Sequence, residues 1–224
     1  MDEQSSPSPL QRPIEALIGA LGADMYPVRR LPAPGWRALR WLAVAALIAV
    51  LLLWYFGSAG MLGRWAAAPT LAWAALGSLL TAIGASVAAL ELAVPGRSRG
   101  WFWLPLPAVL LWLGASGLGC LRVLLLPQHH VIGLADSLTC LGFIVGLSLP
   151  LSALLVWLLR RACPLWPLRS AILVGLASAA AAATLLGIFH PFDVAATDLA
   201  THALAVGVVI GVNALCGGRL LRRC

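Results

Sequence analysis

The stretch LRSAILVGLASAAAAATLLGI, residues 168–188, decides the class of fold to which this chain belongs. Its only charged residue is Arg169, beside its start, and the stretch is long enough as a helix to cross roughly 30 Å of bilayer hydrocarbon. Five more apolar stretches of similar length lie at residues 38–56, 69–93, 101–126, 138–159 and 199–216. The sequence therefore predicts an all-α membrane protein with six transmembrane helices.

The composition agrees with a chain that lies mostly in lipid. Of the 224 residues, 61% are hydrophobic and 10% are charged, whereas about 25% are charged in an ordinary soluble domain. The net charge is +7, but all 15 basic residues are Arg, and they lie in short clusters between the apolar stretches. Because this distribution is typical of topology determinants and not of a nucleic-acid-binding surface, we predict no direct contact with nucleic acid.

Arginine alternates along the chain with the apolar stretches. The N-terminal segment, the second and fourth connections and the tail contain all the arginines except Arg64 and Arg122. Because cytoplasmic loops are enriched in arginine, both termini are predicted to be cytoplasmic. The predicted domains are a cytoplasmic N-terminal segment, residues 1–36, a six-helix transmembrane domain, residues 37–218, and a basic cytoplasmic tail, residues 219–224.

The N-terminal segment is predicted to contain a short amphipathic helix. Apolar residues recur at helical spacing between Pro13 and Pro27, at Ile14, Leu17, Ile18, Leu21 and Met25. A helix of about 13 residues is marginal alone in water and needs an apolar partner surface. The charges along it are Glu15 and Asp24, whereas a helix lying on a membrane usually carries basic residues beside its apolar stripe. A protein partner is therefore favoured.

The predicted topology gathers several thiol and imidazole side chains at the outward face, in or beside the connections that contain little arginine. They are Cys120, His129, His130, Cys140, His190 and His202. These side chains bind zinc, cadmium and copper(I), and two thiols on an oxidising side can also form a disulfide. Because the connections are short, consecutive helices are predicted to pack as antiparallel neighbours, which would bring Cys120 and Cys140 to similar depth. The simpler alternative is that the cysteines are small core residues and the histidines belong to a polar loop.

Other classes of protein receive less support from the sequence. It contains no Walker loop, GxSxG or HExxH motif, so we predict no enzyme activity and no constitutive cofactor. The centres of the apolar stretches carry no charged residue, which disfavours a channel or transporter. A small metal or solute transporter that uses the outward Cys and His residues stays as the alternative function. A structural subunit of a larger membrane complex is a third interpretation.

Five motifs occur in an order that resembles a known family. They are Leu17-Ile18 through Asp24 to Pro27-Val28-Arg29-Arg30-Leu31, Val94-Pro95-Gly96-Arg97-Ser98-Arg99, Gly119-Cys120-Leu121-Arg122, Leu149-Pro150 with Arg160-Arg161, and Phe189-His190-Pro191-Phe192-Asp193. On six spans, over roughly residues 14–222, they resemble the NrsF family, which are six-helix inner-membrane anti-sigma factors of proteobacteria.

The resemblance implies a multi-pass protein of the bacterial inner (cytoplasmic) membrane that holds an extracytoplasmic-function sigma factor and releases it on stress. Its partners would be that sigma factor and membrane lipid. The family's cysteine pair, implicated in responses to toxic metals or oxidants, corresponds to Cys120 and Cys140, so a heavy metal is expected only as a ligand on sensing. His129 and His130 depart from the family pattern. The family's sigma-binding segment corresponds to Leu17, Ile18, Leu21, Asp24, Pro27, Arg29 and Arg30.

Overall fold

The computed structural model describes residues 11–23, 30–57, 63, 65–66, 69–125, 134–189 and 196–222, and all regular structure in these ranges is helical. The chain divides into two compact units, Met1–Leu31 and Pro32–Cys224. In the first unit, the predicted amphipathic helix is confirmed as Gln11–Ala23, a helix of 13 residues.

The second unit contains the predicted transmembrane domain. Six of its helices are long and apolar enough to cross a membrane, which confirms the six predicted spans. The sixth span continues through a π-helical turn, Asn213–Gly217, into Gly218–Arg222. The first to sixth spans are Pro34–Phe56, Pro69–Glu91, Leu106–Leu125, Leu134–Arg160, Pro167–Phe189 and Ala196–Val212.

Proline and glycine set several of the helix ends. The first, second and fifth spans begin at Pro34, Pro69 and Pro167, where the missing N–H is no loss because the first helical amides have no partner in the helix. The first span ends at Phe56, and the Gly57 that follows it has a φ of +74°, which favours glycine, and donates its N–H to the Leu53 carbonyl at 2.9 Å.

The fifth span has the most central position in the bundle. Of the residues in an 18-residue apolar stretch of this span, 67% are buried, and the span packs against the second, fourth and sixth spans. Ala177, Ala179, Ala180 and Ala182 are fully buried, and side chains this small let neighbouring backbones come close. The helices are therefore arranged by their small-residue faces.

Neighbours in the chain are not always neighbours in this arrangement. The third span packs on the second and the sixth, and the fourth packs on the fifth and the sixth. Among the described residues, the third and fourth spans have at most a marginal contact. The expectation that consecutive helices are neighbours is therefore wrong for this pair, because close packing on small-residue faces, and not chain order, selects the contacts.

Two glycines lie where neighbouring helices approach closely. A Cβ atom added to Gly77 would lie 2.6 Å from the backbone nitrogen of Trp112 in the third span. One added to Gly175 would lie 2.7 Å from the Cα of Ile210 in the sixth span. Because backbone atoms cannot move aside as a flexible side chain can, neither position has room for a methyl group.

Gly175→Ala is expected to destabilise the bundle by about 1–3 kcal/mol, because the added methyl group overpacks the contact with Ile210. Gly187→Ala is the matched control in the same helix, since a Cβ there meets nothing within 4 Å. The control should be neutral or slightly stabilising, because alanine favours a helix more than glycine does. Thermal unfolding of the detergent-solubilised variants measures both, and equal midpoints would contradict the close approach.

One end of the bundle is rich in arginine and tryptophan. The guanidinium of Arg99 lies 4.3 Å from the ring centre of Trp166, and that of Arg169 lies 5.4 Å from the same ring. These cation–π contacts join the second connection to the fourth. Arg97 also forms an ion pair with Glu91, at 3.1 Å. We call this the arginine end, and the other end the opposite end.

Candidate functional site

The N-terminal helix presents an apolar stripe on one face. Leu17, Ile18 and Leu21 are 59%, 63% and 62% exposed, and Ile14 extends the stripe by one turn. Of the other predicted sigma-binding residues, Arg30 is exposed, while Asp24, Pro27 and Arg29 lie outside the described residues. Ala16 and Ala23 lie on the opposite face by helical spacing.

A stripe of this kind has the chemistry of a helix that docks in a groove. Anchors at i, i+3, i+4 and i+7 are how an amphipathic helix inserts into an apolar groove on another protein. Burying a leucine or isoleucine side chain contributes about 1.5–3 kcal/mol. Three or four such side chains therefore supply enough stabilisation to order a short helix on a partner.

The two predicted sensing cysteines lie near the opposite end of the bundle, at the end of the third span and the beginning of the fourth. Cys120 is half-buried. Cys140 is 5% exposed and packs in a small cluster with Ile144 of its own helix and with side chains of the fifth and sixth spans, which are Ala182, Leu186 and Ala205. The four cysteines that the structure describes, Cys120, Cys140, Cys163 and Cys216, form no disulfide.

The structure does not bring Cys120 and Cys140 to one interface, because the third and fourth spans have at most a marginal contact in the described part of the chain. The described residues contain no group of three or more His, Cys, Asp and Glu side chains that could hold a metal ion. The other candidate ligands, His129, His130 and His190, lie outside the described residues.

A cavity of about 400 Å³ lies between the second, third, fifth and sixth spans. Its walls are mainly apolar, and His202 and Ser116 are among its polar residues. Leu186 lines the cavity and also belongs to the cluster around Cys140, while Ser116 lies one turn before Cys120. Both cysteines are therefore linked to the walls of this cavity, Cys120 through its own helix and Cys140 through Leu186.

Two buried residues at the start of the first span were missed in the sequence, where Arg37 counts only as one of the topology arginines and Trp41 is not singled out. Arg37 and Trp41 are 3% and 0% exposed, and both donate hydrogen bonds to backbone carbonyls of the fourth span. The sequence signal was an Arg and a Trp four residues apart, which place both side chains on one helix face. Such a pair is also typical of residues at a membrane interface, so the pattern alone does not reveal the contact.

The chain matches the NrsF family model, described as negative regulator of sigma F, over residues 21–222. The match begins at Leu21, within the apolar stripe, and extends through all six spans to Arg222. No curated protein and no solved structure matches the chain.

Proposed function

The chain belongs to the NrsF family and is a negative regulator of a sigma factor, and we propose that it holds an extracytoplasmic-function sigma factor at the bacterial inner membrane and releases it under stress. The observation that carries this proposal is the family match, which extends from the end of the exposed apolar stripe through all six membrane-spanning helices. This combination provides a membrane anchor and a docking segment.

We propose that the arginine end faces the cytoplasm, together with both termini. The contacts of Arg99 and Arg169 with Trp166 support this orientation, because they gather the arginines of two connections at one end of the bundle. Arginine is enriched in cytoplasmic connections, and tryptophan is enriched at membrane interfaces. The N-terminal helix then lies in the compartment where sigma factors act.

The docking segment is proposed to comprise the apolar stripe and the basic residues that follow it. Leu17, Ile18 and Leu21 would enter an apolar groove on the sigma factor, where they are shielded from water. Arg29 and Arg30 would pair with carboxylates at the rim of that groove, with Asp24 and Pro27 between the two sets. Occupation of the groove would occlude surfaces that the sigma factor needs for RNA polymerase or promoter binding.

Cys120 and Cys140 are proposed to sense a heavy metal or an oxidant from the outer side. The burial of Cys140 in the cluster with Ile144 and Leu186 supports this role, because a metal ion or added oxygen atoms would overpack the cluster. Since the third and fourth spans have at most a marginal contact among the described residues, modification of each thiol separately needs less rearrangement than a bond between them. His129, His130 and His190 are proposed as additional metal ligands.

A modification that favours the released state shifts the equilibrium by its differential free energy, about 1.4 kcal/mol for each tenfold change. Overpacking of a well-packed site typically costs about 1–3 kcal/mol. A single modified cysteine in the fourth span would therefore change the ratio of released to bound sigma factor roughly tenfold, provided that the released state relieves the overpacking.

The test is a pull-down of sigma factors from the native host with the solubilised full-length protein and with a form lacking residues 1–30. Recovery of one extracytoplasmic-function sigma factor with the intact form alone is the expected result. Recovery of that sigma factor by both forms would indicate that the docking site lies in the transmembrane domain and not in the N-terminal segment. Absence of sigma factors with either form would contradict the proposal and return the transporter alternative to first place.

A further inference from the structure

We propose that Arg37 and Trp41 form a latch that transmits movement of the fourth span to the sigma-binding segment. The inference rests on the proposed function, since it assigns a signal path between the segment that docks the sigma factor and the helix that carries Cys140. It is carried by two hydrogen bonds between the first and fourth spans and by the burial of both donors.

Arg37 binds the end of the fourth span. Its guanidinium donates to the Leu158 carbonyl, which is one of the last four carbonyls of a helix that ends at Arg160. Such carbonyls have no amide partner within the helix and need one from elsewhere. The next two carbonyls, of Leu159 and Arg160, accept from the amides of Ala162 and Cys163. Arg37 therefore completes the cap of the fourth span from another helix.

Trp41 binds the fourth span two turns earlier. Its Nε1–H donates to the Leu151 carbonyl at 2.9 Å, and its ring is fully buried. A buried indole N–H costs free energy without a partner, so this bond fixes both the depth and the rotation of the first span against the fourth. Because Arg37 and Trp41 are four residues apart on one helix face, the two bonds act on the same stretch of the first span.

Beyond Trp41, the side chains of the first span are less deeply buried. The buried residues of this helix are Arg37, Ala38 and Trp41, and all three lie near its start. Leu42, Ala45 and Ile48 are partly buried against the core, whereas Trp54, Tyr55 and Phe56 at the far end are 84%, 77% and 60% exposed. The most deeply buried contacts of the first span therefore lie at the end that continues into the sigma-binding segment, where Arg37 follows Arg30 by seven residues.

The fourth span can deliver a signal to this attachment. Cys140 lies near its opposite end, and Leu151 and Leu158 lie in the half toward the arginine end. Pro150 stands between the two halves and cannot donate an amide to the preceding turn, which makes this point of the helix easier to bend. A displacement at Cys140 that changes the angle between the two halves at Pro150 would tilt the half toward the arginine end. The two carbonyls would then be displaced, and with them Arg37, Trp41 and the chain that precedes them.

The test uses Cys140→Phe, whose larger side chain is expected to overpack the cluster and keep the fourth span displaced. The inducer therefore does not need to be known. We expect this variant to raise transcription from a sigma-dependent reporter by about tenfold in unstressed cells. Adding Trp41→Phe, which keeps the aromatic ring and removes the N–H donor, should return transcription to within about twofold of the parent level. Arg37→Gln should act in the same way, and Arg37→Lys should restore the response because it keeps a cationic donor.

Two matched controls separate the latch from a general change in the first span. Trp54→Phe is the same replacement at an exposed position of the same helix, and Arg40→Gln removes an exposed arginine next to the buried face. Neither should reduce the response to Cys140→Phe. Immunoblots of membrane fractions establish equal amounts of each variant, and Cys140→Leu replaces Cys140→Phe if the latter does not accumulate.

Full transcription in the Trp41→Phe and Cys140→Phe double variant would overturn the latch, because the signal would then pass without the hydrogen bond. Unchanged repression in Cys140→Phe or Cys140→Leu cells that contain the protein in the membrane would also overturn it, because the fourth span would carry no signal. In both cases a successful sigma pull-down would leave the proposed function intact. A failed pull-down with the intact protein is the separate result that contradicts the function itself.

Discussion

Replacement of Leu17 and Leu21 by Asp is expected to weaken binding of the sigma factor by at least about 100-fold and to abolish repression. Both side chains lie in the exposed stripe and would be buried on docking. Truncation of such an anchor typically costs about 2 kcal/mol or more, and a carboxylate forced into an apolar groove adds a desolvation cost. Binding of the purified sigma factor to the solubilised variants measures the affinity, and a reporter measures repression.

The control for this prediction adds the same charge to the other face of the helix. Ala16→Asp with Ala23→Asp changes the net charge equally and places both carboxylates away from the stripe. This variant should bind within a few-fold of the parent. Equal losses in the two double variants would show that the acidic charge alone, and not the apolar face, decides binding, and the docking proposal would then be withdrawn.

Replacement of Cys140 by Ser is expected to abolish the transcriptional response to cadmium chloride or hydrogen peroxide, while repression in unstressed cells is kept. The hydroxyl is smaller than the thiol and is neither a soft metal ligand nor readily oxidised. Cys120→Ser should also reduce the response if both thiols contribute. A reporter measured across a concentration series of each reagent gives the ratio of induced to basal transcription, which should fall to about one in Cys140→Ser.

The matched controls are Cys163→Ser and Cys216→Ser, which change exposed cysteines nearer the arginine end. We expect both to respond as the parent does. If Cys140→Ser and Cys120→Ser together still give the parent response to both reagents, the two residues are not the sensor. If Cys140→Ser instead derepresses without any reagent, loss of packing in the cluster with Ile144 and Leu186 is the cause, and membrane abundance will reveal it.

The sequence by itself determined the number of spans and the short N-terminal helix. Both follow from patterns within a single stretch of chain, such as residues 168–188 or the spacing of Leu17, Ile18 and Leu21. A charge-poor stretch of sufficient length must form a helix in lipid, because every backbone polar group there needs a partner within the chain. Helix starts were less certain, since the first span begins at Pro34, whereas the apolar stretch begins at residue 38.

Only the tertiary structure decided which helices are in contact. The sequence suggested that the helices of Cys120 and Cys140 are neighbours, but close packing at Gly77 and Gly175 selects other pairs. The tertiary structure also gave Arg37 a second role as a cap of the fourth span, because its partner is a backbone carbonyl, which every residue has and which no side-chain pattern identifies. Contacts of this kind depend on the depth and rotation of one helix relative to another. The apolar periodicity of a single helix encodes neither the depth nor the rotation.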